Sequence, residues 1–392
     1  MKTTRKIATR MQHIEPFHVM DILARASEIE AEGKTVIHME VGEPDFVSPQ
    51  QAIDAGIASL QAGKTHYTPA LGIAELRRAV SNYYTTEYAT NLDPDRVLIT
   101  PGSSGALQLV TSMLVNPGDE VLMADPGYPC NRHFVRLAEG RAVCIPTGVE
   151  SNYQIGLAHL EEHWGENTIA ALVASPSNPT GTLIDHKELT QMAAFAADRG
   201  GYLIVDEIYL GLTYDDKVRT AVDCGDNVFV ISSFSKYFGM TGWRIGWLVA
   251  PADLVRTLEK IAQNIFLSVS SPAQYAALAA FGTECRHELE KRKQEFKRRR
   301  DYLLPALRDL GFKIPVNPRG AFYLYADCSS LCDDSFEFAG RLLEEAAVAI
   351  TPGLDFGNHL PEKHVRIAYT TSLEALQEGV RRMQKYLQTQ NR

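Results

Sequence analysis

No run of apolar residues in the 392-residue sequence approaches the roughly 20 needed to cross a membrane, and the opening MKTTRKIATRMQHIEPF lacks the hydrophobic stretch of a secretory signal. Cysteine is scarce. Cys130, Cys144, Cys224, Cys285, Cys328 and Cys332 include no C-x-x-C pair, and a chain of this size needs no disulfide staples. These absences lead us to expect a reducing cytoplasm, no membrane partner and no bound metal. Positive charge is in deficit: at a net charge of −9 the chain has no general attraction for nucleic acid, itself a polyanion. The one basic run, KRKQEFKRRR at 291–300, shares a helical pattern with Glu284, Glu288 and Glu290 and is read as a solvated helix face. No G-x-G-x-x-G follows the first apolar run, which argues against a dinucleotide-binding protein. Fewer than about 45 residues precede VGEPDF, and they lack the two-helix pattern of a DNA-binding module.

What is present is a chain with 45% hydrophobic residues, long enough for two lobes and a cleft, since single cores stop growing at around 250 to 300 residues. Seven short apolar runs punctuate its middle: VLIT (97–100), VLMA (121–124), AVCI (142–145), IAALVA (169–174), YLIV (202–205), VFVIS (228–232) and IGWLVA (245–250). They are near-continuous, which fits strands buried on both faces, and amphipathic helical patterns separate several of them. An α/β fold follows, with a mostly parallel seven-stranded sheet, helices on both faces and a smaller α+β domain. Only about a dozen residues lie between the last two runs, too few for a helical crossover, so the last strand is expected to run antiparallel. After Phe281 a long charged helix leads to GFKIPV and GAFYLYADC, where strands alternate with polar residues. The expected division is an N-terminal arm or lid over 1–45 that joins the small domain, a large domain over 46–283 and a small C-terminal domain over 284–392.

Ligands of such sheets gather outside the carboxyl ends of the strands, so the residues after each run matter most. PGSSG after VLIT places Ser103 and Ser104 at a helix start, where free N–H groups make an anion cradle. DPGYP puts Tyr128 on a turn at the same edge, suited to stacking on a flat ring. SPSNPTG presents Asn178. YLIV ends on Asp206, a carboxylate that needs a cationic partner when buried, with Tyr209 three residues on. VFVIS ends in SFSK: Ser233, then Lys236, an amine whose pKa falls on burial and which can then attack a carbonyl. Arg244, shaped for bidentate phosphate contact, follows. One ligand uses a phosphate cradle, a stacking ring, a buried acid, a phenol, an amide and an amine together: pyridoxal 5'-phosphate.

The ordered set SNPTG, DEIY, SFSK and GWRIG, with VGEPDF and HVRIAYT at either end, resembles the class I/II aminotransferases, pyridoxal phosphate enzymes of fold type I with the aspartate aminotransferase fold. The resemblance runs over nearly the whole chain. It implies that Lys236 holds the cofactor covalently and serves as the base, that Asp206 pairs with the ring nitrogen, and that Tyr209 and Asn178 meet the phenolic oxygen. Tyr128 would stack on the ring, with Ser103, Ser104, Ser233 and Arg244 on the phosphate. Arg366, assisted by Gly42 and Asn178, would take the substrate carboxylate, and Phe17 would lie on a lid. It further implies a homodimer with the site at the interface, where Tyr67 reaches the cofactor phosphate of the partner subunit. The reaction implied is ping-pong transfer of an amino group from an L-amino acid to a 2-oxo acid, the cofactor alternating with pyridoxamine 5'-phosphate. The alternative is a carbon–sulfur lyase or another elimination enzyme on the same fold. PGSSG carries no lysine and no second cation is placed by the sequence, so small, aliphatic or aromatic donors are expected ahead of acidic ones.

Overall fold

The computed structural model describes residues 6–215 and 217–390. Its strands are, in chain order, β1 (Ile37–His38), β2 (Val97–Thr100), β3 (Glu120–Asp125), β4 (Arg141–Pro146), β5 (Thr168–Ala174), β6 (Tyr202–Asp206), β7 (Val228–Ser233), β8 (Gly246–Val249), β9 (Tyr323–Asp327), β10 (Val348–Ala349), β11 (Thr351–Pro352) and β12 (His364–Ala368). The seven apolar runs are β2 to β8. They form one sheet in the order β2-β8-β7-β6-β5-β3-β4, with β8 antiparallel to both neighbours and the remaining pairs parallel.

Successive residues of these strands enter opposite cores, as the two-residue period of a strand requires. Leu203 and Val205 join one apolar cluster and Ile204 the other; Leu122 faces the first, Val121 and Met123 the second. Fully burying each such side chain contributes about 1.5–3 kcal/mol, which is why the strands show no polar alternation. The run AVCI departs from the expectation of burial on both faces. It lies in β4 at the sheet edge, where Ile145 is buried and Ala142, Val143 and Cys144 are only partly covered.

A second, antiparallel sheet has the order β11-β12-β9, and β1 pairs in parallel with β10, so the segment at Ile37 is bound to chain more than three hundred residues away. Helices Ser335–Ala346 and Leu373–Gln390 pack with this part. Asp334 caps the first of them, its carboxylate accepting from Phe336 N (2.8 Å) and Glu337 N (2.9 Å). GFKIPV forms no strand, contributing only a bridge between Lys313 and Asp327. Nor does β9 alternate. Leu324 and Ala326 enter the main core while Tyr325 packs with Tyr153 and Phe356, so both faces are covered. The main cluster contains Leu122 of the large sheet together with Leu324, Ile367 and Tyr386, so its apolar interior is continuous.

The long helix Thr283–Asp309 corrects the reading of its basic run as a solvated face. Arg299 is 3% exposed and clamps Asp45 with two hydrogen bonds, Nη1 to Oδ1 (2.9 Å) and Nη2 to Oδ2 (3.0 Å), while Nη1 also reaches the Thr370 carbonyl (3.0 Å). Arg300 is buried beside it and donates to Asp215 and the Pro318 carbonyl. Partners distant in sequence make these guanidinium groups interior ones. No helix among the described residues is long and apolar enough to cross a membrane.

Candidate active site

The strands β3, β5, β6 and β7 run parallel, and β2 shares their direction because β8 reverses twice between it and β7. Their carboxyl ends therefore open on one edge of the sheet, above a cavity of about 280 Å³. Ser103 and Ser104 line it from the first turn of helix Gly102–Leu114, Tyr128 from beyond β3, Asn178 from beyond β5, Asp206 from the end of β6, Tyr209 from just beyond it, and Lys236 and Arg244 from the β7–β8 connection. Phe17, Gly42 and Arg366 close it from the other side.

Lys236 is enclosed, with Nζ donating to the Gly42 carbonyl (2.6 Å). Burial pushes its ammonium down to about 8, with Arg366 and Arg244 adding to the effect and Glu43 and Asp206 opposing it. Asp206 shows the complementary displacement. Burial raises its carboxyl to about 6, against the Ile208 N–H donated to Oδ1 (3.0 Å) and the charge of Lys236. An amine near its deprotonation point and a carboxylate with spare acceptor capacity thus face one space.

Arg244 has φ of +52° and follows a short 3-10 turn, so its guanidinium folds back toward the start of helix Gly102–Leu114. Gly102, with φ of +67°, permits this: a Cβ there would stand 2.7 Å from Arg244 Nη2. A Cβ on Gly246 would lie 2.7 Å from the Ser232 carbonyl oxygen and 3.0 Å from Ser103 N, so this corner accepts no side chain. Free N–H groups, two serine hydroxyls and a guanidinium make it an anion cradle.

Arg366, 2% exposed, is the second anion site. Its Nη1 donates to Asn178 Oδ1 (3.0 Å), and its Nη2 to the Glu40 carbonyl and to Thr351 Oγ1 (3.2 Å). The faces of Tyr323 and Phe356 lie 4.4 and 4.8 Å from its Cζ, and its Nε meets no acceptor among the described residues. A buried guanidinium with an unused donor fits a carboxylate.

Ser233 is not on the cavity wall. It is the last residue of β7, and its hydroxyl is turned to Ser235 Oγ (2.9 Å) and the Ile245 carbonyl (3.2 Å); Ser235 lines the cavity instead. Tyr67, 81% exposed, lies outside this cavity. The sequence reading also missed Tyr323, whose hydroxyl meets that of Tyr209 at 2.8 Å and fills the space beside Gly42, where any Cβ would overlap it. The one available signal was the pair Tyr323 and Tyr325, two polar-tipped rings on one face of an apolar strand. Phe17 packs edge-on against Tyr128 with centroids 6.4 Å apart, and the helix behind it, His18–Ala31, is capped from afar by Asp355, which accepts from His18 N and Val19 N (both 2.9 Å). No further arginine supplies a second cation: Arg25 pairs with Glu344 and Glu28, Arg132 reaches Glu15 and the Asp355 carbonyl, and neither these nor Arg319 lines the cavity.

Two anion sites flanking a buried amine and a buried carboxylate define an enzyme site for a small, doubly anchored reactant. Comparison with known proteins identifies the family. The model for aminotransferases of class I and II matches residues 34–383. A (5-formylfuran-3-yl)methyl phosphate transaminase of Methanocaldococcus jannaschii is 40% identical over 384 residues, 97% of this chain and 99% of its own. A valine–pyruvate aminotransferase of Mycobacterium tuberculosis is 35% identical over 389 residues, 99% of this chain and 100% of its own. The crystal structure of an aminotransferase from Mycobacterium tuberculosis matches with a TM-score of 0.95 at 35% identity, covering 98% of this chain and 100% of that one. The chain belongs to the class I and II aminotransferases, and its reaction is amino-group transfer.

Proposed function

We propose that the cavity holds pyridoxal 5'-phosphate and that the chain moves an amino group from a neutral aliphatic or aromatic L-amino acid to a 2-oxo acid by a ping-pong reaction. The observation that carries this reading is the convergence of Lys236, Asp206, the cradle of Ser103, Ser104 and Arg244, and Arg366 on one cavity. The glycine positions that no Cβ can occupy support the fit of a phosphate there. Bound there, the cofactor supplies an aldehyde that takes up the amino group and a cationic ring that withdraws electrons from the substrate α-carbon.

The chain's residues do the rest. Arg366, with Asn178 and the Gly42 backbone, orients the substrate carboxylate, so that the α-carbon faces Lys236. The Lys236 amine, held near its deprotonation point, takes the α-proton and returns it on the opposite course. Asp206 would keep a proton on the ring nitrogen, Tyr209 and Asn178 would hydrogen-bond the ring oxygen, and Tyr128 would cover the ring face. Ser233, with Ser235 hydrogen-bonded to it on the cavity wall, completes the phosphate side. Phe17 closes the mouth and excludes water. Among the described residues the cavity wall has no cation besides Lys236, Arg244 and Arg366, while Phe17, Val19, Met20 and Ile208 make it apolar, which supports an uncharged donor side chain. The relative named for valine and pyruvate supports the same class.

Tyr67 is assigned to the site of a partner subunit in a homodimer, and the chain divides near residues 45 and 283. Six unpaired cysteines support a cytoplasmic location.

The test is a panel of the twenty amino acids in single half-reactions. Transfer yields one equivalent of pyridoxamine phosphate and the 2-oxo acid; pyruvate released from cystathionine without an acceptor would mean elimination instead. Lys236→Ala should fold, lose borohydride-fixable cofactor and lose turnover by at least about a thousandfold. A variant that keeps both would end this reading.

A further inference from the structure

Four consecutive carbonyls, from Met39 to Gly42, all accept hydrogen bonds, the first three from the stretch 366–370 and the last from Lys236. Met39 O accepts from Ala368 N (2.7 Å), Glu40 O from Arg366 Nη2 and Thr351 Oγ1, Val41 O from Thr370 Oγ1 (2.9 Å), and Gly42 O from Lys236 Nζ (2.6 Å). The segment is a strap from the strand bearing Arg366 to the lysine. Its own fastening is unusual. The Glu40 side chain is 0% exposed, its Oε1 accepts from His38 Nδ1 (2.7 Å), and its Oε2 meets no donor among the described residues. The other ring nitrogen of His38 faces Glu30 Oε1 at 3.3 Å.

A buried carboxylate is costly unless it is paired, so an acid at this position calls for a reason. Packing alone would be served by an apolar side chain. We propose that Glu40, gripped by His38, is a positioning residue that fixes the strap and thereby sets the Arg366 guanidinium for the substrate carboxylate. The proposal rests on the reading of Arg366 as the carboxylate site. The hydrogen bond to Glu40, acting against partial burial and joined by the smaller pull of Glu30, raises the His38 ring from 6.5 to about 9, so the imidazole carries its proton at neutral pH. The charged groups facing the ring are Glu40 on its own segment and Glu30 on helix His18–Ala31. From helix Leu373–Gln390, Arg382 turns to the Thr35 and Ala347 carbonyls and Glu378 pairs with Arg381 and Arg382; β10 offers Val348 and Ala349. The grip is complete below the ordinary histidine value of 6.5 and is lost as pH rises through about 9.

The experiment compares wild type, Glu40→Gln, His38→Gln and Arg366→Lys as holoenzymes, using the best donor from the amino-acid panel. Glu40→Gln should raise the donor KM about tenfold while kcat stays within about threefold, the signature of lost substrate binding and not of lost chemistry. Cofactor affinity should not change. In wild type the KM should climb as pH passes 9, and in Glu40→Gln that step should vanish. By NMR the His38 ring should titrate near 9 in wild type and return toward 6.5 in Glu40→Gln. If Glu40→Gln does not fold, His38→Gln, altered at a partly exposed position, carries the KM, kcat and cofactor-affinity readouts, and its KM should show no step near pH 9. Unchanged KM, or equal losses in kcat and cofactor affinity, would overturn the proposal. Arg366→Lys separates the two claims: if it leaves KM unchanged, the assignment of Arg366 fails; if it raises KM and neither strap variant does, the assignment stands and the proposal falls.

Discussion

At the scale of single residues, the site is held at an energetic disadvantage that the cofactor-free protein must carry. Burial raises Asp206 from 3.8 to about 6, so the folded state prefers its protonated form; that contribution is complete below pH 3.8 and is lost as pH rises through 6. Lys236 is displaced the other way, from 10.5 to about 8, and its contribution is present above pH 10.5 and lost as pH falls through 8. Near neutrality both charges are disfavoured. Asp206→Asn should therefore make the cofactor-free protein more stable at pH 7 by about 1–3 kcal/mol, a gain that disappears by pH 4, while turnover falls at least about a hundredfold. Urea unfolding at the two pH values and steady-state rates check both halves. Lys236 and Asp206 were legible in the sequence for the same reason that they are costly: each is an ionisable group at the end of an apolar run. Glu40 and Tyr323 were not, since an acid before VGEPDF and a tyrosine in GAFYLYADC read as ordinary strand residues until their partners from distant segments are known.

At the scale of elements, the phosphate corner depends on backbone proximity. Gly246 begins β8 against the Ser232 carbonyl and Ser103 N, with no room for a methyl group. Gly246→Ala should force β8 away from helix Gly102–Leu114, weakening cofactor affinity at least about tenfold and stability by about 1–3 kcal/mol. Equilibrium dialysis and thermal unfolding would measure the two, and affinity should suffer the more. The strands themselves were visible in the letters to within a residue or two, because a sheet buried on both faces demands unbroken apolar runs. The antiparallel sense of β8 was legible too, from a connection too short for a crossover. What periodicity does not report is position within the sheet: AVCI has the composition of an inner strand and lies at the edge. Nor does it report where a hydroxyl at a strand end turns: β7 continues one residue past the apolar run, and Ser233 hydrogen-bonds to Ser235 and the Ile245 carbonyl.

At the scale of the whole molecule, the basic run on helix Thr283–Asp309 shows how far composition misleads. Arg299 joins that helix to Asp45 and to the Thr370 carbonyl, tying both ends of the chain to its middle. Arg299→Ala should destabilise the protein by about 1–3 kcal/mol, because it leaves the Thr370 carbonyl without that donor and removes the partner of the partly solvated Asp45. Asp45→Ala made alone and together with Arg299→Ala should show a coupling of at least about 1 kcal/mol by urea unfolding. Nothing in KRKQEFKRRR distinguishes Arg299 and Arg300, which turn inward, from the less buried residues beside them; only the fold supplies their partners.

The reversal at β8 sets an order of assembly. The cradle needs Ser103 and Arg244, the amine is at 236, and Gly42 and Arg366 come from opposite ends of the chain. While the polypeptide is still emerging from the ribosome, the phosphate cradle cannot close before Arg244 has been made, and both anion sites are not present before Arg366 has. On the proposed reading of the cavity, vitamin capture would be a late event in the biogenesis of this enzyme, and a nascent chain arrested midway would leave the ribosome colourless.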